Sequence, residues 1–190
     1  MIVSLQNPVL TLDAFLKLPE TKPASEFING RIYQKTMPQG KHSRLQTRLP
    51  NELNHEIEPL RLGCAFTELR CTFGGRSIVP DVSVFRWEHI PLNEAGALQN
   101  VFDIAPDWTI EILSPDQSPS RVMDNILFCL DRGSTLGWLI DPEEQLIFVY
   151  MPDRLPMTYE DSTAILPTLD ILGDRKFTVG EIFGWLNFSR

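Results

Sequence analysis

The sequence predicts one mixed α/β (α+β) domain built on a central β-sheet flanked by helices. Three observations lead there. Periodic segments follow in the order helix, hairpin, helix, strands, helix, strands, helix, which fits one sheet covered by helices. The run Trp108-Thr109-Ile110-Glu111-Ile112-Leu113 is almost continuously apolar, as in a central strand covered on both faces. The length of 190 residues suits a single core, and 43% hydrophobic with 22% charged residues is ordinary globular composition,. Residues 1–190 are therefore read as one domain without repeat or linker.

Each element has a local cause. Thr11 caps a short helix that ends near Pro19,. Ser25 to Tyr33 form a hairpin, because Asn29-Gly30 can both adopt positive φ in a tight primed turn. Across 42–58, Leu45, Leu49, Leu53 and Ile57 recur every four residues and make one apolar helical stripe. Pro50 is expected to kink that helix or shift its start. Residues 65–73 and 78–85 read as strands, with Asp81 in or opening the second. Residues 87–100 read as a short helix and loop, and Ser114 to Pro119 as a loop. A helix is expected over 120–131, closed by Gly133. Strands follow at 136–140 and 145–150, a weak strand at 163–172, and a helix over 179–186 capped by Thr178.

Composition restricts function. No run approaches the roughly 18 apolar residues of a membrane span, and the first eight residues lack the basic and apolar regions of a signal peptide. Three cysteines, none in a CxxC, point to reduced thiols and a cytoplasmic setting. The net charge of −8 argues against a nonspecific nucleic-acid coat. The charge is uneven, however. Residues 27–80 hold eight bases against four glutamates, whereas 100–190 hold 15 acids against six bases. Arg31, Lys35, Lys41, Arg44 and Arg48 fall in a stretch with no acid. It reads either as a solvated surface or as a cationic face for a phosphate backbone. His42, His55 and His89 lack metal-ligand spacing, and P-loop, GxGxxG and GxSxG motifs are absent,. The four tryptophans, Trp87, Trp108, Trp138 and Trp185, read as filling the core or its edges,.

The chemistry-bearing feature is a pair of carboxylates. Pro80-Asp81 opens one strand, and Glu111 sits between Ile110 and Ile112 in another. A buried carboxylate is costly unless compensated. Two readings stay open on spacing alone. Asp81 caps a turn while Glu111 pairs with an arginine, or the two share a hard divalent cation.

Further residues carry a family resemblance over about residues 10–185. Ser25-Glu26-Phe27-Ile28-Asn29-Gly30-Arg31-Ile32, His42, Pro80-Asp81-Val82-Ser83-Val84, Asp107-Trp108-Thr109-Ile110-Glu111-Ile112-Leu113-Ser114-Pro115, Gly133 and Trp138-Leu139-Ile140-Asp141-Pro142 resemble the Uma-two family of the PD-(D/E)XK nuclease superfamily. The resemblance implies a restriction-endonuclease-like core and a metal-dependent endonuclease acting on double-stranded DNA. One or two Mg²⁺ or Mn²⁺ ions would be held by Asp81, Glu111 and the Ile112 carbonyl, with Glu26 as an accessory acid. The cationic stretch, with His42, would contact the DNA. The superfamily lysine is absent, since its position holds Leu113. The alternative family positions for lysine and tyrosine hold Asn125 and Cys129, and the acid before them falls on Arg121. Asn125 and Arg121 thus occupy the catalytic lysine's region, and a catalytically degraded enzyme is expected. Two alternatives are a non-catalytic module binding nucleic acid or protein, and a structural homodimer pairing through an edge strand at 145–150.

Overall fold

The computed structural model describes residues 10–115 and 117–189. The leader-free reading of residues 1–8, and Asp116 in the loop, lie outside the described residues. The short helix α1 (Leu12–Phe15) is capped by Thr11, whose hydroxyl accepts from the Ala14 amide. The hairpin β1 (Ser25–Ile28) and β2 (Arg31–Gln34) turns at Asn29 and Gly30, with φ of 51° and 79°. The long helix α2 (Gly40–Ile57) follows, then β3 (Gly63–Thr67), β4 (Cys71–Phe73), β5 (Arg76–Ile78), β6 (Val82–Arg86) and β7 (Trp108–Ile112). The crossover helix α3 (Pro119–Leu130) leads to β8 (Leu136–Asp141), β9 (Leu146–Tyr150), β10 (Met157–Tyr159) and α4 (Val179–Gly184). Among the described residues no helix is long and apolar enough to cross a membrane.

The strands form two sheets. Six strands run in the order β10-β9-β8-β7-β6-β3, and four in the order β2-β1-β5-β4. Only β7 and β8 pair in parallel within the larger sheet, because α3 carries the chain back between them. Alternation along β7 separates two chemistries. Trp108, Ile110 and Ile112 enter the main core with Leu45, Leu49, Leu53 and Ile57 of α2. Thr109 and Glu111 therefore point to the other face, where α3 and the smaller sheet pack. Phe85 and Phe102 join Ile28, Cys71, Ile78 and Cys129 there in a second apolar cluster.

The expected strands 65–73 and 78–85 are each interrupted, the first between β3 and β4 and the second between β5 and β6, and three further local expectations need correction. Pro50 neither starts nor ends α2, which begins ten residues earlier; the apolar stripe on both sides of Pro50 packs as one. The weak strand at 163–172 is a single bridge, Ile165 to Thr178, followed by a 3₁₀ turn at Asp170–Leu172. The last strand is instead β10, three residues of mixed polarity that carry little periodic signal. Residues 146–150 are consequently internal, between β8 and β10, and offer no edge for a second copy.

The α3–β8 contact depends on Gly137. A Cβ there would stand 2.3 Å from the Ile126 Cγ2 and 3.5 Å from the Tyr150 Cβ. Gly137→Ala should therefore overpack this layer and destabilise the fold by about 1–3 kcal/mol. Thermal unfolding should shift down by about 2–4 °C per kcal/mol for a chain of this size. An unchanged midpoint would show that α3 is not seated on β8.

Candidate active site

The hairpin sets the first part of the site. Register across the Asn29-Gly30 turn pairs Glu26 with Tyr33, and the Lys35 amide donates to the Ala24 carbonyl at 2.9 Å. Glu26, Tyr33 and Lys35 thus share one face. The neighbouring Val79 peptide holds both charged ends. Its amide donates to Glu26 Oε1 at 2.8 Å, and its carbonyl accepts from Lys35 Nζ at 2.7 Å.

The large sheet supplies the rest. Asp81 directly precedes β6, and pairing of Val82 with Ile110 places Asp81 beside Glu111. Lys35 Nζ lies 2.6 Å from Asp81 Oδ1 and 3.9 Å from Glu111 Oε2, so the two acids meet on one ammonium. The Ile112 amide donates to Asp81 Oδ2 at 2.8 Å, and His42 Nε2 lies 3.1 Å from the same oxygen. Gln46, one turn after His42, reaches Asp81 Oδ1 at 3.4 Å. Both oxygens of Asp81 are therefore saturated, as a buried carboxylate requires.

The position of Lys35 overturns one expectation from sequence. The site does not lack an ammonium: it comes from the residue after β2 rather than from the strand of Glu111 or from α3. Lys35 and His42 are also not on a DNA-facing surface, since the Lys35 side chain is 10% exposed and His42 is buried against Asp81. The remaining bases are dispersed. Lys41 pairs with Glu143 at 2.8 Å and Arg48 with Glu52 at 2.6 Å. Arg44 donates to the Trp185 carbonyl, and Arg31 is exposed on β2. Hairpin parity could have identified Lys35, because positions 33 and 35 face the same way as Glu26.

The remaining candidates lie on α3 and the strand end. Asn125 is buried and its Nδ2 donates to Glu26 Oε2 at 3.2 Å. Arg121, one turn earlier, is exposed, with its guanidinium 4.0 Å over the Tyr33 ring. Cys129, on the same face, is fully buried in the second apolar cluster; burial, with the Glu111 charge, pushes its thiol pKa up. Ile112 is fully buried and enters through its amide. A cavity of about 80 Å³ is walled by Glu26, Tyr33, Lys35, Glu111, Arg121 and Asn125, among others. Asp81 is not on its wall and is reached through Lys35. A larger open groove of about 920 Å³, along Arg76, Phe128, Arg132 and 151–155, contains none of these groups.

Three carboxyl groups thus converge on one lysine. Burial disfavours the Lys35 charge, but Asp81, Glu111 and Glu26 outweigh it and raise the ammonium pKa,. Burial likewise opposes ionisation of Asp81, yet Lys35 and the His42 hydrogen bond hold its pKa well below the usual carboxylate range. Glu111 goes the other way. Burial raises its pKa well above the ordinary value, and the Asp81 and Glu26 charges add to this despite Lys35. Among the described residues, no three His, Cys, Asp or Glu side chains are gathered to hold an ion. The three carboxylates are nevertheless oxygen donors of the kind a hard divalent cation takes, with Lys35 the charge set among them,.

Because Glu111 titrates higher folded than unfolded, its stabilising contribution is complete below pH about 4 and is lost as pH rises through the folded value. Asp81 does the opposite, losing its contribution as pH falls through its lowered value. In a chelator, the native chain should lose thermal stability with rising pH, and Glu111→Gln should flatten that part of the profile. Thermal melts across pH 5–9 decide it; an unchanged profile would assign the titration to another group.

Comparison with known proteins agrees with this architecture. Residues 12–180 match the Uma2 family, described as "Putative restriction endonuclease". A crystal structure of a "putative nuclease belonging to DUF820" from Anabaena variabilis ATCC 29413 is 52% identical in sequence. That match covers 94% of this chain and 99% of the other, with a TM-score of 0.92. No curated protein matches. With the family match spanning the hairpin, both acid-bearing strands and α3, the chain belongs to the Uma2 family.

Proposed function

We propose that this chain is a divalent-cation-dependent endonuclease that hydrolyses DNA phosphodiesters at the Lys35–Asp81–Glu111 cluster. The carrying observation is the Lys35 ammonium, 2.6 Å from Asp81 and 3.9 Å from Glu111 in a buried site. This supplies the two acids and one lysine of the superfamily's chemistry by a different route through the chain. The family and the similar nuclease structure support the reaction class.

Each residue has a role that follows from its surroundings. Asp81, Glu111 and Glu26 would hold the cation, which when bound would supply Lewis-acid polarisation of the phosphodiester. Lys35, kept protonated by its acidic neighbours, acts as a hydrogen-bond donor to charge developing on the phosphoryl oxygens. It is not the base. His42 and Gln46 fix the Asp81 carboxylate from behind. Arg121, exposed at the cavity wall and braced on Tyr33, is placed to contact the DNA backbone. The earlier reason to expect a degraded enzyme, a missing positive charge, does not apply to this arrangement.

Plasmid nicking in Mn²⁺ tests the reading. The native chain should nick, and Lys35→Ala should lower the rate by about 10²–10³-fold, the usual cost of one preorganised donor. Lys35→Arg should keep part of the activity. Asp81→Ala should abolish it. DNA retention without cleavage by the native chain would favour a binding module; cleavage unaffected by Lys35→Ala would remove the lysine from the chemistry.

A further inference from the structure

We infer that the substrate is single-stranded DNA, and that the strand leaves the catalytic cavity along the seam between the β1–β2 hairpin and α3 to reach the groove around Arg132. This rests on the proposed nuclease reading and names its substrate class, in place of the duplex that the family resemblance implies. The first observation is recession. Asp81, Glu111 and Glu26 are 1%, 2% and 5% exposed, and the cavity that leads to them is about 80 Å³, which a base pair cannot enter. A duplex carries its phosphates on a rod that is stiff over about 150 base pairs and cannot fold one of them into such a hole. A single strand can turn at each nucleotide.

The second observation is continuity. Tyr33, Ser118 and Arg121 line both this cavity and a seam of about 250 Å³. Asn29, at the hairpin tip, and Asp124, on α3, line both the seam and the groove of about 920 Å³. The three depressions adjoin in series and follow α3 from Arg121 to Leu130, about 14 Å along its axis. The third is the kind of surface they present. At the cavity mouth the Arg121 guanidinium lies 4.0 Å over the Tyr33 ring. In the groove Arg76 lies 4.3 Å and Arg132 5.4 Å over the Phe128 ring. Guanidinium planes resting on rings offer platforms for stacking, and every base has a face to stack. Charge decides against a duplex. Four arginines (Arg76, Arg121, Arg132 and Arg154) stand against three aspartates (Asp124, Asp131 and Asp153) along the furrow, and Asp124 and Asp131 already pair with Arg76 and Arg132. A duplex is held mainly through its phosphates and needs a strongly cationic face. A surplus of one positive charge on a chain of net charge −8 does not supply it, whereas stacking asks for less charge.

The experiment uses a short fluorescein-labelled oligonucleotide of mixed sequence, single-stranded and annealed to its complement. Binding is read by anisotropy in chelator and cleavage by strand length in Mn²⁺, on the native chain, Arg132→Ala and Arg132→Lys. The Arg132 side chain is 45% exposed, so both variants should melt with the native chain. The native chain should bind the single strand about tenfold or more tighter than the duplex, within the range of one or two stacked bases, and cut it in preference. Negatively supercoiled plasmid, in which strand separation is favoured, should be nicked, and the same plasmid linearised should not. Arg132→Ala should weaken single-strand binding about fivefold or more, the scale of losing one stacked base. Arg132→Lys should lose most of the same, because an ammonium keeps the charge and not the plane. If the native chain binds and cuts duplex as well as single strand, the substrate assignment falls while the nuclease reading stands. If it prefers the single strand but Arg132→Ala binds that strand equally well, the route along the groove falls. If it neither binds nor cuts DNA in any form, the nuclease reading itself falls, and this inference with it.

Discussion

Crowding three acids around one ammonium is the constraint that organises this molecule. Glu26, Asp81 and Glu111 are all buried, and an unpaired buried carboxylate costs several kcal/mol. Nearly every polar contact nearby offsets that cost. Lys35, His42, Gln46, Asn125 and the amides of Val79 and Ile112 all donate to these groups or lie within hydrogen-bond reach of them. Five separate parts of the chain contribute: the hairpin, α2, the segment before β6, the end of β7, and α3. The fold's tertiary order is therefore tied to the electrostatics of one point.

The division of labour between the sheets follows. The six-stranded sheet is a scaffold whose central strands bring Asp81 and Glu111 side by side. The four-stranded sheet adds the charge balance, because β1 brings Glu26 and the residue after β2 brings Lys35. The short β1–β5 pairing of Phe27 with Ser77, together with Val79 between Glu26 and Lys35, docks one sheet's chemistry onto the other. The helix α3 closes the same space from the opposite side, with Ile126 against Gly137 and Asn125 against Glu26.

How much of this was legible in the sequence differed by type of signal. Helix α2, the hairpin, the buried strand β7 and the capped α1 and α4 were readable because periodicity, turn residues and caps are local. The Asp81 and Glu111 pair was readable because charge is conspicuous inside apolar strands. The short strand β10 was not, since three residues of mixed polarity carry no period. The role of Lys35 was misread because an exposed-looking run of bases has the same sequence signature whether it is solvated or turned inward. Burial of its side chain is decided by contacts 44 to 76 positions away, at Val79, Asp81 and Glu111. His42 was misassigned for the same reason.

The Asn29-Gly30 turn carries more than a change of direction. Its two positive φ angles fix a two-residue loop, and that loop length sets which side of the ribbon each following residue takes. Gln34 and Lys35 are neighbours with opposite facings. One residue gained or lost in the loop would exchange them, sending the amide inward and the ammonium to solvent without altering any acid of the site. Loop length here is therefore part of what places the ammonium at the site, and a search that aligns only the acidic strand motifs would be blind to it.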